Sequence, residues 1–141
     1  MNLTSSKPII LRKVALAVFK DKKVLMVRSK KQSEVFYSLG GKVEKGESDI
    51  ETVTREVMEE VNCNIKPGSI KFLKEFEEEA HGRINTRVNI RLYEGELIGK
   101  PTSSSEIAEI QYFDSSIDPK HLSLIAINGI FPFLKKNGYI V

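Results

Sequence analysis

Residues 41–63 read GKVEKGESDIETVTREVMEEVNC, and the fold turns on how this stretch is built. Its second part predicts a helix from Ser48 to Val61. Ser48 can cap the N-terminus, and Glu51 three residues on completes a capping box. Asn62 stands where the chain must leave the helix, and asparagine tolerates the left-handed conformation needed there. At about 100° per residue, Ile50, Val53, Val57 and Val61 fall on one face and predict a buried stripe. Glu56, Glu59 and Glu60 occupy the next arc, about 100° wide, with Glu56 and Glu60 adjoining the stripe. Arg55 lies off that flank.

Glu56 and Glu60 are like charges at i, i+4, an arrangement that costs an isolated helix a few tenths of a kcal/mol. No Lys or Arg follows these glutamates at three or four residues within the helix. Three acids on one flank without such partners are either a solvated acidic face or a site for an external cation. Oxygen-only donors of this kind suit the hard ions Mg²⁺, Mn²⁺ or Ca²⁺.

Outward from the helix, residues 14–19 (VALAVF) and 24–28 (VLMVR) read as two strands around the turn Asp21-Lys22-Lys23. Residues 29–34 are a polar loop. Residues 35–39 (VFYSL) are apolar and aromatic and stop at Gly40-Gly41. Residues 71–76 read as a strand and 84–97 (INTRVNIRLYEGEL) as one long alternating strand, with His81-Gly82 as the turn between them. Residues 110–113 form a short strand. Leu122 to Leu134 carries helical spacing, with Pro132 expected to kink the helix or mark a second start.

The whole chain has 141 residues, the size of one domain, so 1–141 is read as a single unit. Hydrophobic content of 40% and charged content of 29% exclude a disordered or collagen-like chain. One cysteine, Cys63, excludes an internal disulfide framework and favours a reducing compartment, hence the cytoplasm. The longest apolar runs fall far short of the ~20 residues of a membrane span, and residues 1–10 lack the pattern of a secretion signal. Twenty-two Lys and Arg against nineteen Asp and Glu leave +3, without the basic stripe and interleaved aromatics of a nucleic-acid binder. A stable nucleic-acid complex and a membrane partner are therefore not expected. An acidic cluster on a mildly basic body suits a metal ion held beside an anionic ligand.

The spacing Gly41, five residues, Glu47, seven residues, Arg55-Glu56-Val57-Met58-Glu59-Glu60 resembles the Nudix box, which runs here from Gly41 to Cys63. All its charged positions are present: Glu47, Arg55, Glu56, Glu59 and Glu60. Asn62 replaces its last glycine, Cys63 its last aliphatic residue, and Leu39 the proline common before the two glycines. The order of elements resembles that family over nearly the whole chain. The resemblance implies an α/β fold, an α/β/α sandwich around a mixed sheet, and hydrolysis of a phosphoric anhydride with Mg²⁺ or Mn²⁺ as cofactor.

By the same resemblance, Glu56, Glu59 and Glu60 are the metal ligands, with the backbone carbonyl of Gly40 beside them, where a glycine lets the chain approach the ion. The catalytic set comprises Glu59 and Glu60, one of them the candidate general base, with Glu47 and Arg55 as an ion pair fixing loop to helix. Lys42 and Arg28 lie where related proteins place phosphate-contacting cations, and Arg12 is a weaker candidate. Phe36 or Tyr37 can stack on a base or belong to the core. Glu106 or Glu109, after the loop 102–105, is the candidate additional acid. Asn128 either reads a base edge or packs its helix, His81 is expected in an exposed turn, and Cys63 in the core.

Signatures of coenzyme A, NADH and ADP-ribose hydrolases are missing from the positions where relatives carry them. By elimination, the expected activity is that of a MutT-type pyrophosphohydrolase. Its nucleoside triphosphate, which an oxidised purine nucleotide would satisfy, would yield a monophosphate and pyrophosphate. The alternatives are a hydrolase of a nucleoside diphosphate sugar or dinucleoside polyphosphate, and a non-catalytic ligand-sensing or interaction module. The expected partner is a small nucleotide, with the protein a monomer or homodimer.

Overall fold

The computed structural model describes residues 7–31, 34–80, 82–104 and 106–141. The elements run β1 (Ile9–Ala17), β2 (Phe19–Lys20), β3 (Lys23–Ser29), β4 (Tyr37–Lys42), α1 (Asp49–Val61), β5 (Asn64–Ile65), β6 (Lys71–Glu79), β7 (Thr86–Glu94), β8 (Leu97–Ile98) and β9 (Ile107–Phe113). A C-terminal helix follows, with a π-helical stretch at Ala126–Ile130 leading into α2 (Phe131–Lys136).

Alternation along the strands builds three layers. Val14 and Leu16 of β1, Leu25 and Val27 of β3, and Leu39 of β4 pack with Val53, Val57, Val61 and Cys63. The intervening residues Ala15, Ala17, Val24 and Met26 pack on the opposite face with Val88, Ile90 and Leu92 of β7 and with Ile125, Ile130, Phe131 and Leu134. The sheet is therefore the middle layer of an α/β/α sandwich. Its strand order is β2-β3-β4-β1-β7-β6, with β9 also paired to β3. It is mixed: β1 runs parallel to β7 from Ile9↔Thr86 to Ala17↔Glu94, and the other pairs are antiparallel.

Several boundaries differ from those read in the sequence. β1 starts at Ile9, because its first half pairs with β7 while exposing side chains that carry no buried alternation. The first turn is Asp21-Lys22 alone, both at positive φ, and Lys23 already belongs to β3. β4 continues through Gly40-Gly41 instead of stopping there. The long strand expected over 84–97 ends at Glu94, and Leu97–Ile98 pairs with β5 instead. Gly95 marks that break, where any Cβ would lie 2.9 Å from Leu16.

Leu122 is not helical; it bridges to Phe36. Near Pro132 the helix widens, and the Phe131 N–H donates to the Ala126 carbonyl five residues back. Ile50, expected in the buried stripe, is 46% exposed. Thr52 is fully buried instead, its hydroxyl donating to Glu47 Oε1 at 2.9 Å and to the Ser48 carbonyl at 3.0 Å.

Candidate active site

Both ends of α1 are built as the sequence predicts. Ser48 accepts from the Glu51 N–H, Glu51 returns the bond to Ser48, and Asn62 leaves the helix at φ 57°. A second clamp was not foreseen. Asp49 accepts two bonds from Arg91, at 2.7 and 2.5 Å, and one from the Tyr93 hydroxyl at 2.6 Å. These bonds tie the helix N-terminus to β7 and hold the Asp49 carboxyl below its ordinary value, first through Arg91. At the far end, the 102–104 loop closes over α1. The Thr102 and Ser104 N–H groups donate to the carbonyls of Val61 and Glu60, and the Asn62 amide donates to Thr102.

Arg55 is the hub of the charged cluster. Its guanidinium grips Glu47 at 2.8 and 3.0 Å and reaches Glu56 at 3.0 Å. Glu44 lies 3.3 Å away, Glu59 3.5 Å, and the Lys42 carbonyl accepts at 3.3 Å. Two of the three glutamates, Glu56 and Glu59, thus do have a basic partner on the helix. It precedes them in sequence, and its side chain is long enough to reach the flank from its own position. Hydrogen bonding from Arg55 holds the Glu47 carboxyl down at about 2.

Glu56 and Glu60 converge on the two glycines of β4. The Gly40 N–H donates to Glu60 Oε1 at 3.0 Å. A side chain at Gly41 would start 2.4 Å from the Glu56 carboxyl, so the Glu56 carboxylate occupies the space this glycine leaves. Burial pushes both acids up, Glu60 to about 8, with the Glu56 and Glu59 charges adding to the effect at Glu60. Glu59 is 57% exposed.

A carboxyl raised as far as that of Glu60 holds its proton at neutral pH unless a cation replaces it. Glu60 Oε2 accepts no hydrogen bond among the described residues. Hard oxygen donors with spare lone pairs fit a divalent ion such as Mg²⁺ or Mn²⁺. Among the described residues no three such side chains are already gathered as a cage.

A cleft of about 210 Å³ opens beside this cluster, lined by Glu60, Gly40, Gly41 and Lys13 and by the apolar Met26, Leu39, Ile107, Ile125 and Ile130. It continues past Lys13, Tyr37 and Ser123 into an outer compartment of about 260 Å³ that includes Arg83 and Glu79. Lys13 was not singled out in the sequence, because an isolated lysine on a strand carries no signal of which cavity it lines. Its ammonium lies 5.9 Å from the Tyr37 ring. Burial, and then the Arg83 charge, pull its pKa below the ordinary value.

Other candidates fall elsewhere. Phe36 is only 5% exposed and packs edge-on against Phe113, so Tyr37 is the aromatic residue of the cleft. Arg28 pairs with Glu109 at 3.1 Å and stands over the Phe36 ring. Glu106 is exposed, with its backbone carbonyl bonded to the Lys30 N–H. Asn128 donates to Glu78 on β6, which docks the C-terminal helix to the sheet edge. Lys42 is exposed on β4 opposite Lys13. Cys63 is buried, as expected. His81 and Ser105 lie outside the described residues.

The sequence pattern of the NUDIX domain matches residues 10–117, which include every charged position of the α1 cluster. The chain belongs to the Nudix family. It is accordingly a hydrolase of pyrophosphate bonds. Among curated proteins, none matches the sequence.

Among solved structures, a UDP-X diphosphatase superposes on this Nudix chain with a TM-score of 0.74 at 24% identity, over 98% of this chain and 66% of that one. The chain thus spans just under two-thirds of that protein's length. A MutT protein from Methanosarcina mazei Go1 gives 0.75 at 21% identity, over 94% and 99% of the two chains. A dihydroneopterin triphosphate pyrophosphohydrolase from E. coli gives 0.61 at 18%, over 77% and 84%. At such identities the likeness is one of fold. No helix among the described residues is long and apolar enough to cross a membrane.

Proposed function

We propose that this Nudix protein hydrolyses a nucleoside triphosphate to a monophosphate and pyrophosphate, using Mg²⁺ or Mn²⁺. The observation that carries this reading is the convergence of Glu56 and Glu60 on Gly40-Gly41 at the mouth of a cleft whose inner wall is apolar and whose outer wall is cationic. Hydrolysis of a polyphosphate demands charge neutralisation and positioning more than covalent catalysis.

In this reading Glu56, Glu59 and Glu60 hold the ion, with the Gly40 carbonyl beside them. The ion, when bound, neutralises charge on the phosphate oxygens. Arg55 and Glu47 keep the loop 42–47 and the helix in register, so they position the ligands without touching substrate. Glu59 or Glu60 takes the proton of the attacking water. Glu106 serves as the additional acid, since Glu109 is engaged by Arg28 while Glu106 makes no side-chain bond among the described residues. Lys42 adds a point charge for the phosphates. The chain acts as one domain, in the cytoplasm, on a small nucleotide. Incubating a panel of nucleotides with Mg²⁺ and identifying the products tests the reading.

A second reading, hydrolysis of a nucleoside diphosphate sugar, draws support from the likeness to the UDP-X diphosphatase. Brisk cleavage of a nucleotide sugar with no cleavage of any triphosphate would establish it instead.

A further inference from the structure

The outer compartment of the cleft holds two cations that the hydrolytic cluster does not use. Lys13 reaches it from β1 and Arg83 from the turn before β7. Neither makes an ion pair among the described residues, although Glu60 and Glu79 both line the same cleft. Among the described residues Glu79 is the only acid lining the outer compartment, so the described lining keeps an excess of one positive charge. Ser123, 6% exposed, and half-buried Tyr37 complete the wall, and neither hydroxyl is engaged in a hydrogen bond among the described residues. Burial raises the Tyr37 phenol, so it stays a donor. Two like charges beside two free hydroxyls, in a cavity joined to a carboxylate site, match a ligand that is anionic and rich in acceptor oxygens.

We propose that Lys13 and Arg83, with Tyr37 and Ser123, form an anion subsite that holds the terminal phosphate of a nucleoside triphosphate. This rests on reading the carboxylate cluster as the phosphoanhydride site. It also separates the two substrate classes. A triphosphate carries charge beyond its first two phosphates, whereas a nucleotide sugar carries a neutral ring there, which offers the two cations no counter-charge.

The test is metal-free binding of inorganic tripolyphosphate by calorimetry, in EDTA, to the full chain and to Arg83→Gln, Lys13→Gln and Lys66→Gln. Arg83 lies on an exposed turn, so its variant tests the subsite even if Lys13→Gln fails to fold. Wild type should bind saturably, and loss of either cation should weaken binding about tenfold, the worth of one charge-assisted hydrogen bond. Lys66→Gln, on a remote turn, should bind as wild type. Uridine diphosphate glucose should bind Arg83→Gln no more weakly than wild type.

Absence of saturable binding, wild-type binding by Arg83→Gln, or an equal loss in Lys66→Gln would overturn the subsite. An equal loss for the nucleotide sugar would place the cations on the diphosphate common to both ligands and overturn it as well. Tripolyphosphate binding that follows these two residues, in a protein that hydrolyses no nucleotide, would leave the subsite standing and refute the catalytic reading alone.

Discussion

Gly40 and Gly41 are neighbours with different reasons to be glycine, and the two substitutions should fail differently. Gly40 sits at φ 129°, and a Cβ there would lie 2.0 Å from the Val14 carbonyl oxygen, on backbone that cannot move aside. Gly40→Ala should therefore destabilise the fold, by about 1–3 kcal/mol from backbone strain alone, as a lower denaturation midpoint. At Gly41 the clash is with the end of a flexible side chain, the Glu56 carboxyl. Gly41→Ala should fold with near-normal stability yet lose turnover and metal affinity, because Glu56 is pushed off its position. A Gly41→Ala protein with full activity at limiting Mg²⁺ would remove Glu56 from the site. Between the acids, Glu60→Gln should cost orders of magnitude in turnover, while Glu47→Gln should cost less and lower the thermal midpoint, since Glu47 serves Arg55. Complete loss of activity in Glu47→Gln at unchanged stability would make Glu47 a group that acts on substrate.

At the scale of the element, α1 was legible where its signals are local. The capping box, the left-handed exit at Asn62 and the stripe Val53-Val57-Val61 all follow from spacing within the segment Ser48 to Asn62. What anchors the first turn was not legible, because its partners are distant. Asp49 is bound by Arg91 and Tyr93, more than forty residues away, and this polar clamp with Thr52 replaces the apolar contact expected of Ile50. The charged residues of the site were readable from one motif, but Lys13, Arg83 and Tyr37 meet only through the pairing of β1 with β4 and β7. The same clamp predicts an acid limit to stability. The folded-state pKa of Asp49 lies below its unfolded value, so its contribution is complete above the ordinary carboxylate range and disappears as pH falls through the folded value. Asp49→Asn should lower stability at pH 7 by about 1–2 kcal/mol and converge with wild type in acid. A difference between the two proteins that does not shrink below pH 3.8 would show that the ion pair is not its source.

Across the whole molecule, the cleft runs from the carboxylates at the end of β4 to the cations of the outer compartment, and this order bears on which phosphorus is attacked. A triphosphate with its terminal group against Lys13 and Arg83 places its middle phosphorus nearest Glu60, with phosphate on either side. Water attack there would expel the nucleoside monophosphate and leave the new oxygen in pyrophosphate. Hydrolysis in ¹⁸O-labelled water reads this directly by mass spectrometry of the two products. Label in pyrophosphate is the expected result. Label in the monophosphate would place attack at the innermost phosphorus, and the substrate would then have to lie one phosphate further along the cleft. Arg83→Gln should raise KM for the triphosphate with little change in kcat, because a terminal phosphate held equally before and during reaction contributes binding alone. A fall in kcat at unchanged KM would mean that Arg83 acts on charge developing at the reacting phosphorus, and the terminal phosphate would have to be held elsewhere.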